Sequence, residues 1–486
     1  MASPSPSITR LIEGGHSMTK LWQKGYSVNT QVERYTAAHN SLLDMRLIRH
    51  DVWGSLAHAT MLQRIGILSE EELQRLKQAF NEILEQEASN DFIIKPTDED
   101  VHTSIENYLA EKAGPAGKKI HTARSRNDQV LVDLRLYGKE QLYYTSQKVF
   151  DFCATLLTFA EDTMTIPMPG YTHMQRAMLS SVGLWAASFV EALLDDEHLL
   201  AAVYDINDQS PLGSAAGYGV PLPIDRQLVA DLLGFARFQN NVIYVQNARG
   251  KIEAAIVQAL AQIMLDLSKL AQDMLLFTTA EYGFFQPTQE ICTGSSIMPQ
   301  KRNLDIMELV RARTQTLLAL QQQIFGIVSG LPSGYNIDYQ ETKRPFIEAL
   351  DLVQESLDIC TLTINNITVN KERLAAACSF ELFATDQAYE LMMQENIPFR
   401  DAYQRVGKEV TAQLDQHLPF PPESQEQLAV RLQARSHVGG TGNPGLERDQ
   451  QRLAQAKQKW QMYGVAFESA IQTLVGNSHL SILEEQ

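Results

Sequence analysis

Two long stretches of this chain repeat their apolar residues at heptad spacing, and that repeat limits the possible folds more than any other feature. Ile256, Leu260, Ile263, Leu267, Leu270 and Met274 follow one another at intervals of 4, 3, 4, 3 and 4 residues, within a stretch running from about Asn241 to Glu281. Ile306, Val310, Leu317, Leu320, Ile324 and Ile327 hold a similar seam in a second stretch, which stops at Gly330-Leu331-Pro332. A helix with so narrow an apolar seam cannot bury it alone and packs lengthwise on near-parallel or antiparallel neighbours. Three further patterns predict those neighbours. One runs from Asn127 to about Thr163, a second starts at the break between Pro167 and Gln175 and ends near Asp208, and a third has Pro345 in its first turn and reaches about Asn366. Five long helices with few strand signals predict an all-α protein around a long central five-helix bundle.

A chain of 486 residues is too long for one ordinary core. The predicted division is an extension over residues 1–17, an N-terminal helical domain over 18–120, the central bundle over 121–370 and a small C-terminal helical domain over 371–486. The formal net charge of -17 is spread along the chain, which argues against nucleic acid or an anionic membrane as partner. The four cysteines, Cys153, Cys292, Cys360 and Cys378, have neither disulfide-framework nor zinc-site spacing, so a reducing cytoplasm is expected. No apolar run approaching the length of a membrane span stands out, and the N-terminus lacks the apolar region of a signal peptide.

Polar motifs punctuate the helices. Thr293-Gly294-Ser295-Ser296-Ile297-Met298-Pro299-Gln300-Lys301-Arg302-Asn303 is a Gly/Ser loop whose backbone N–H groups can wrap an anion, with Lys301 and Asn303 adding a charge and an amide and Glu308 following on a helix start. His121-Thr122-Ala123-Arg124-Ser125-Arg126-Asn127-Asp128-Gln129 places two arginines at a helix N-terminus, which by itself reads equally as a pocket for a carboxylate or as a solvated basic turn. Asp98 to His102 sets carboxylates beside an imidazole, and by spacing alone this reads as a metal site or, in preference, as a solvated helix N-terminus, where the dipole favours Asp and Glu. Gly170-Tyr171-Thr172-His173-Met174-Gln175 and Tyr335-Asn336-Ile337-Asp338-Tyr339-Gln340-Glu341-Thr342-Lys343 are the remaining polar blocks. Gly440 to Gly445 satisfies GxGxxG, but no strand precedes it and Pro444 interrupts it, so no dinucleotide site is read there.

Taken together, these blocks resemble the argininosuccinate lyases of the fumarase/aspartase superfamily, in consistent order from about residue 21 to 410. The segments Leu21 to Ser27, Asp51 to Ala59, Ala384 to Asp386 and Ile397 to Tyr403 share the resemblance. The chain departs from the family pattern at Lys24-Gly25, at Gln31, where an acidic residue is usual, at Ala123, where glycine is usual, and around Arg249. The resemblance implies reversible β-elimination of argininosuccinate to arginine and fumarate with no organic cofactor and no metal. It also implies a cytoplasmic homotetramer with shared sites whose subunits join in a helical core. Another fumarate-releasing lyase would share the Ser295 loop but not the Arg124–Gln129 and Tyr335–Lys343 blocks. A crystallin-like structural protein could share the fold, although retention of His173 and Ser295 speaks against that.

By the same resemblance, Ser295 is the base, His173 the acid partner, Lys301 and Asn303 hold the dianion, and Glu308 orients His173 and favours its charged form. Ser27, Asp100, His102, Arg126, Asn127, Thr172, Gln175, Tyr335, Gln340, Lys343 and Arg249 are the implied substrate contacts. The chemistry is consistent with these residue types. A proton must leave a carbon next to a carboxylate, so the site needs a base, positive electrostatics at that carboxylate and an acid for the leaving nitrogen. An unaided hydroxyl is too weakly acidic for the first task, so the loop N–H groups and Lys301 must stabilise its alkoxide. Arg126 and His173 fall at opposite ends of one long predicted helix. Both can serve one substrate only if they come from different chains packed antiparallel.

Overall fold

The computed structural model describes residues 29, 31–32, 35, 40–95, 98, 100–416, 423–477 and 481–483, so Ser27, Gly25 and the 1–17 extension lie outside the described residues. After a short helical turn at Asn40–Asp44 come three longer helices: α1 (Ile48–Arg64), α2 (Glu70–Ala88) and α3 (Val101–Lys112). α2 opens on a capping box in which Ser69 Oγ accepts from Glu72 N and the Glu72 carboxylate accepts from Ser69 N. Such a cap satisfies two orphan donors and contributes about 1 kcal/mol.

The five long helices follow as α4 (Arg126–Thr163), α5 (Val182–Asn207), α6 (Lys251–Phe277), α7 (Asp305–Val328) and α8 (Lys343–Asn365). α6 lies against α5, α7 and α8, while α4 lies against α5 and α8, so the protein is all-α with a bundle at its centre. The α6 seam residues Ile256, Leu260, Ile263, Leu267, Leu270 and Met274 are all buried, as heptad spacing predicts. Each such side chain contributes about 1.5–3 kcal/mol of burial. By length and composition α6 could cross a membrane, which the sequence did not suggest, but its apolar face is covered by its helical neighbours.

Three local outcomes differ from the sequence reading. The Pro167 block does not start a helix. It forms a hairpin of β1 (Pro167–Thr172) and β2 (Gln175–Ser181), with α5 beginning only at Val182. Pro167, Pro169 and Gly170 are poor helix formers, whereas a two-stranded ribbon tolerates them because many of its donors need no partner. The expected helix from Asn241 is interrupted after the short turn Val242–Asn247, because Gly250 adopts φ +75° before α6 starts. A side chain there would be strained, and its Cβ would meet Val328 Cγ1 at 2.3 Å.

The third difference concerns the C-terminal region. Helices α9 (Ala384–Glu395), α10 (Phe399–Asp415) and α11 (Gln425–Ala434) supply two small apolar clusters, one around Leu382 and Leu428 and one around Ala388 and Ala402. The 371–486 region also carries a sixth long helix, α12 (Leu446–Val475), which packs on α4, α5 and α1. Its Trp460 joins the bundle core, while Phe467, Ile471 and Leu474 join the core of α1–α3. Leu446, Leu453, Trp460, Phe467 and Leu474 recur every seventh residue, a seam legible in the sequence.

Candidate active site

The predicted site residues gather at two opposite ends of the bundle. At the first end the N-termini of α3 and α4 face one another. Asp100 caps α3 by accepting from Thr103 N at 2.8 Å and Thr103 Oγ1 at 2.7 Å. Arg126, the first residue of α4, reaches back to Asp100 Oδ2 at 3.2 Å and donates to Thr103 Oγ1 at 2.9 Å. Asn127 N donates to the N-cap Ser125 Oγ at 3.3 Å. Asp128 closes a second capping box with Ser125 and also accepts from Gly213 N and Ala215 N, so the start of α4 is tied to the Gly-rich 213–219 connection. Burial pushes this carboxyl up to about 6 against the pull of those backbone donors.

Behind this surface is a dry polar network. His102 Nδ1 meets Asp51 Oδ2 at 2.8 Å and Asp133 Oδ2 at 3.7 Å. Asp51 Oδ1 accepts from Ser55 Oγ and Gln129 Nε2, both at 2.9 Å, and Ser55 in turn accepts from Arg124 Nη1 at 2.7 Å. Burial opposes charge on Asp51 and on His102, yet their mutual attraction prevails, holding the Asp51 carboxyl down and the His102 imidazole up. Burial, with the Asp51 charge beside it, pushes the Asp133 carboxyl well up against the pull of His102, Arg124 and Lys343. The ligand atoms of Asp51, His102 and Asp133 lie within 4.8 Å of one another, a separation a metal ion could exploit. Donors already occupy both oxygens of Asp51, and the charges of Arg124 and Lys343 bear on Asp133, so the residues fit an ion-pair network better than a cation site.

The 335–343 block belongs to this same end. Lys343 is buried and pairs with Asp44 Oδ1 at 2.5 Å, and Asp44 Oδ2 accepts from Val101 N at the start of α3. Arg249 is buried under Tyr335 and Tyr339, its guanidinium 5.5 and 5.9 Å from their ring centres. It therefore supports Tyr335 from beneath instead of facing open space. Gln340 is half-buried on the turn Ile337–Thr342 that leads into α8.

At the other end are the hairpin and the Ser295 loop. Thr172 and Gln175 pair across the two-residue tip His173-Met174, whose φ values of +51° and +62° are those a type I′ turn needs. Neither residue is glycine, so the tip is strained by roughly 1 kcal/mol or more per residue, and it holds His173 out into solvent. Tyr171 anchors the hairpin against Phe277 and Tyr282 at the far end of α6.

From there the chain reaches the loop, which is pinched by Thr293 N donating to Asn303 O at 3.0 Å and Asn303 N to Thr293 O at 2.9 Å. Inside the pinch Ser295 Oγ accepts from Ile297 N at 3.3 Å and Met298 N at 3.1 Å. Two backbone donors already aimed at a hydroxyl oxygen would hold the same atom as an anion. Lys301 and Glu308 are exposed, and among the described residues neither they nor His173 make a side-chain hydrogen bond or ion pair. Cys292 is half-buried, and burial raises its thiol pKa, which disfavours a thiolate there.

α4 spans 38 residues, roughly 57 Å at the usual helical rise, so Arg126 and His173 cannot meet one small molecule within one chain. The same holds across α8 between Lys343 and the 285–304 region, whose strand Phe285–Pro287 pairs with Ile367–Val369 just after that helix. Sequence reasoning singled out Asp100, His102 and Arg126 but not Asp44, Asp51 or Asp133. These sit inside helices, where Asp51 at four residues from Ser55 was the only local sign of a shared hydrogen bond.

The chain matches the family described as Lyase over residues 26–317. It is 44% identical over 396 residues to the argininosuccinate lyase of Thermotoga neapolitana, covering 82% of this chain and 99% of that protein. It is 41% identical over 434 residues to the argininosuccinate lyase of Sorangium cellulosum, covering 89% and 98%. Among solved structures, an EDDS lyase in complex with formate superposes with a TM-score of 0.78 at 22% identity, over 93% of this chain and 95% of that one. A fumarate lyase:delta crystallin from Brucella melitensis bound to cobalt gives 0.67 at 16%, over 87% and 95%. At those identities the structural matches speak for the fold alone.

Proposed function

Since the chain belongs to the argininosuccinate lyase family of the fumarase/aspartase superfamily and is a lyase, we propose that it eliminates fumarate from argininosuccinate and releases arginine, a reversible step of arginine biosynthesis in the cytoplasm. The observation that carries the mechanism is the pair of loop N–H groups on Ser295 Oγ. As an alkoxide held by Ile297 N, Met298 N and the Lys301 charge, Ser295 takes a proton from the carbon beside the substrate carboxylate. The electrons pass into that carboxylate as an aci-carboxylate dianion, which Lys301 and Asn303 balance. The carbon–nitrogen bond then breaks, His173 supplies the proton to the leaving nitrogen directly or through water, and Glu308 orients the imidazole. Arg126, Asn127, Thr172 and Gln175 take the carboxylate and amide contacts, with Asp100, His102, Tyr335, Gln340, Lys343 and Ser27 as further substrate contacts and Arg249 backing Tyr335.

Because the two groups of residues lie at opposite ends of the bundle, the working enzyme is a homotetramer in which chains pack antiparallel and each site draws on more than one of them. The test is fumarate release across a panel of N-succinyl compounds, with Ser295→Ala as control. Argininosuccinate should be the preferred substrate, and Ser295→Ala should lower kcat by several orders of magnitude while substrate still binds, since the lost interaction belongs to the transition state. Near-normal turnover by folded Ser295→Ala would remove Ser295 as base, and preference for another succinyl compound would remove the substrate assignment.

A further inference from the structure

Two aspartates face the His102 ring from different helices, both fully buried, and the hydrogen bonding around them is unequal. Asp51 on α1 is saturated: Ser55 Oγ and Gln129 Nε2 donate to one oxygen and His102 Nδ1 to the other. The Ser55 and Gln129 donors favour the ionised carboxylate of Asp51, and opposite its other oxygen the favoured form of His102 is the one with a hydrogen on Nδ1. Asp133 on α4 has no hydrogen bond at either oxygen, and His102 Nδ1 approaches it only to 3.7 Å. A bare carboxylate at 0% exposure beside another carboxylate is the costlier state, so the proton belongs on Asp133. The second nitrogen of His102, Nε2, makes no hydrogen bond among the described residues. Unlike the orphaned Nδ1 of His50, it is not sealed in the interior.

We propose that Asp51 is a positioning residue for the substrate: it ties down Nδ1 of His102 so that the ring presents Nε2–H, with a full positive charge, to an anionic group of the substrate, while the neighbouring Asp133, which makes no hydrogen bond to the ring, is the lesser influence. The inference rests on the reading of His102 as a substrate contact and adds what makes it one. The charged and titratable groups bearing on the ring are Asp51 from α1, Asp100 at the cap of α3 and Asp133 from α4, and the last of these is in turn influenced by Arg124 and by Lys343 from α8. Burial works against the imidazolium, and Asp51 and then Asp100 overcome it, which moves its titration up to about 9. His102 is the second residue of α3, so the helix N-terminus adds its own preference for an anion at this point.

The experiment uses the full-length enzyme labelled with 13C-histidine, in which the His102 resonance is assigned by its loss in His102→Gln. In the unmodified enzyme the His102 signal should stay in the charged form through neutral pH, well above the ordinary midpoint of about 6.5. Asp51→Asn should bring the midpoint to that ordinary value or below and raise KM for argininosuccinate about tenfold, with kcat changed far less, because a charge-assisted contact to bound substrate is lost. Asp133→Asn, an uncharged residue of the same shape, should leave both the His102 midpoint and KM within a factor of about two. An ordinary His102 midpoint in the unmodified enzyme would overturn the proposal even if Asp51→Asn failed to fold. So would an Asp133→Asn effect as large as that of Asp51→Asn. If the titrations behave as stated but His102→Gln leaves KM unchanged, the underlying reading of His102 as a substrate contact falls and the charge assignment stands.

Discussion

Where α4 begins, Asp100, His102, Arg126 and Lys343 are paired, capped and mostly buried. Where the chain turns back after α4, His173, Lys301 and Glu308 stand in solvent without a side-chain partner among the described residues. The first end is a finished electrostatic network, and its charges contribute to holding α1, α3, α4 and α8 together. The second end contributes little to this chain's stability and is organised by backbone geometry instead, through an I′ tip and a pinched loop. On the proposed mechanism the difference is a division of labour: fixed charges that must stay oriented are packed in the fold, and the groups assigned to proton transfer are held out where a second chain and the substrate would enclose them.

The largest effect should come from joining the two ends across chains. Arg126→Ala and His173→Asn should each be inactive alone, yet co-refolded mixtures should recover a measurable fraction of activity, because some sites then draw both intact residues from different subunits. No recovery in demonstrably mixed tetramers, or an active monomer, breaks the shared-site reading. Next, two lysines at opposite ends should separate stability from activity. Lys343→Met breaks a buried pair and should cost about 3–5 kcal/mol in denaturant unfolding. Lys301→Met should leave stability within about 0.5 kcal/mol while lowering kcat on the order of a hundredfold or more. Equal stability losses in the two variants would erase the contrast.

A smaller signature is in the pH dependence of stability. The folded-state value of His102 is raised, so its contribution should be complete below the ordinary 6.5 and lost as pH rises through about 9. A Tm scan should show that alkaline loss, and Asp51→Asn should abolish it. The smallest effect belongs to Ala123, which holds φ +64° just before the N-cap of α4. Ala123→Gly should stabilise by about 1 kcal/mol in the same unfolding assay, since glycine carries no penalty in that conformation.

Ala123 also marks how far the sequence could be read. Its substitution for the family's usual glycine was visible as a departure, but only the backbone angle shows why glycine is usual there. The α6 seam was legible because every one of its apolar positions serves the same contact. His173 was legible as a site residue but not as the tip of a hairpin, because Pro-Gly punctuation announces a break without specifying whether a helix or a strand comes next. Asp51 and Asp133 escaped notice for a different reason. A lone aspartate within a helix has the same local pattern whether it faces solvent or a buried imidazole, and only the crossing of α1, α3 and α4 distinguishes the two. α12 had its own heptad seam, but its partners lie hundreds of residues away and local reasoning could not say which core it completes.

That last contact also sets an order of events. The core of α1–α3 includes Phe467, Ile471 and Leu474, so these helices are completed by residues synthesised long after them. Until then α1–α3 carry an open apolar face, and closing it requires a loop of several hundred residues, a slow and aggregation-exposed kind of contact. A chain stopped before Leu446 would retain every predicted site residue and still lack the piece that closes its first core.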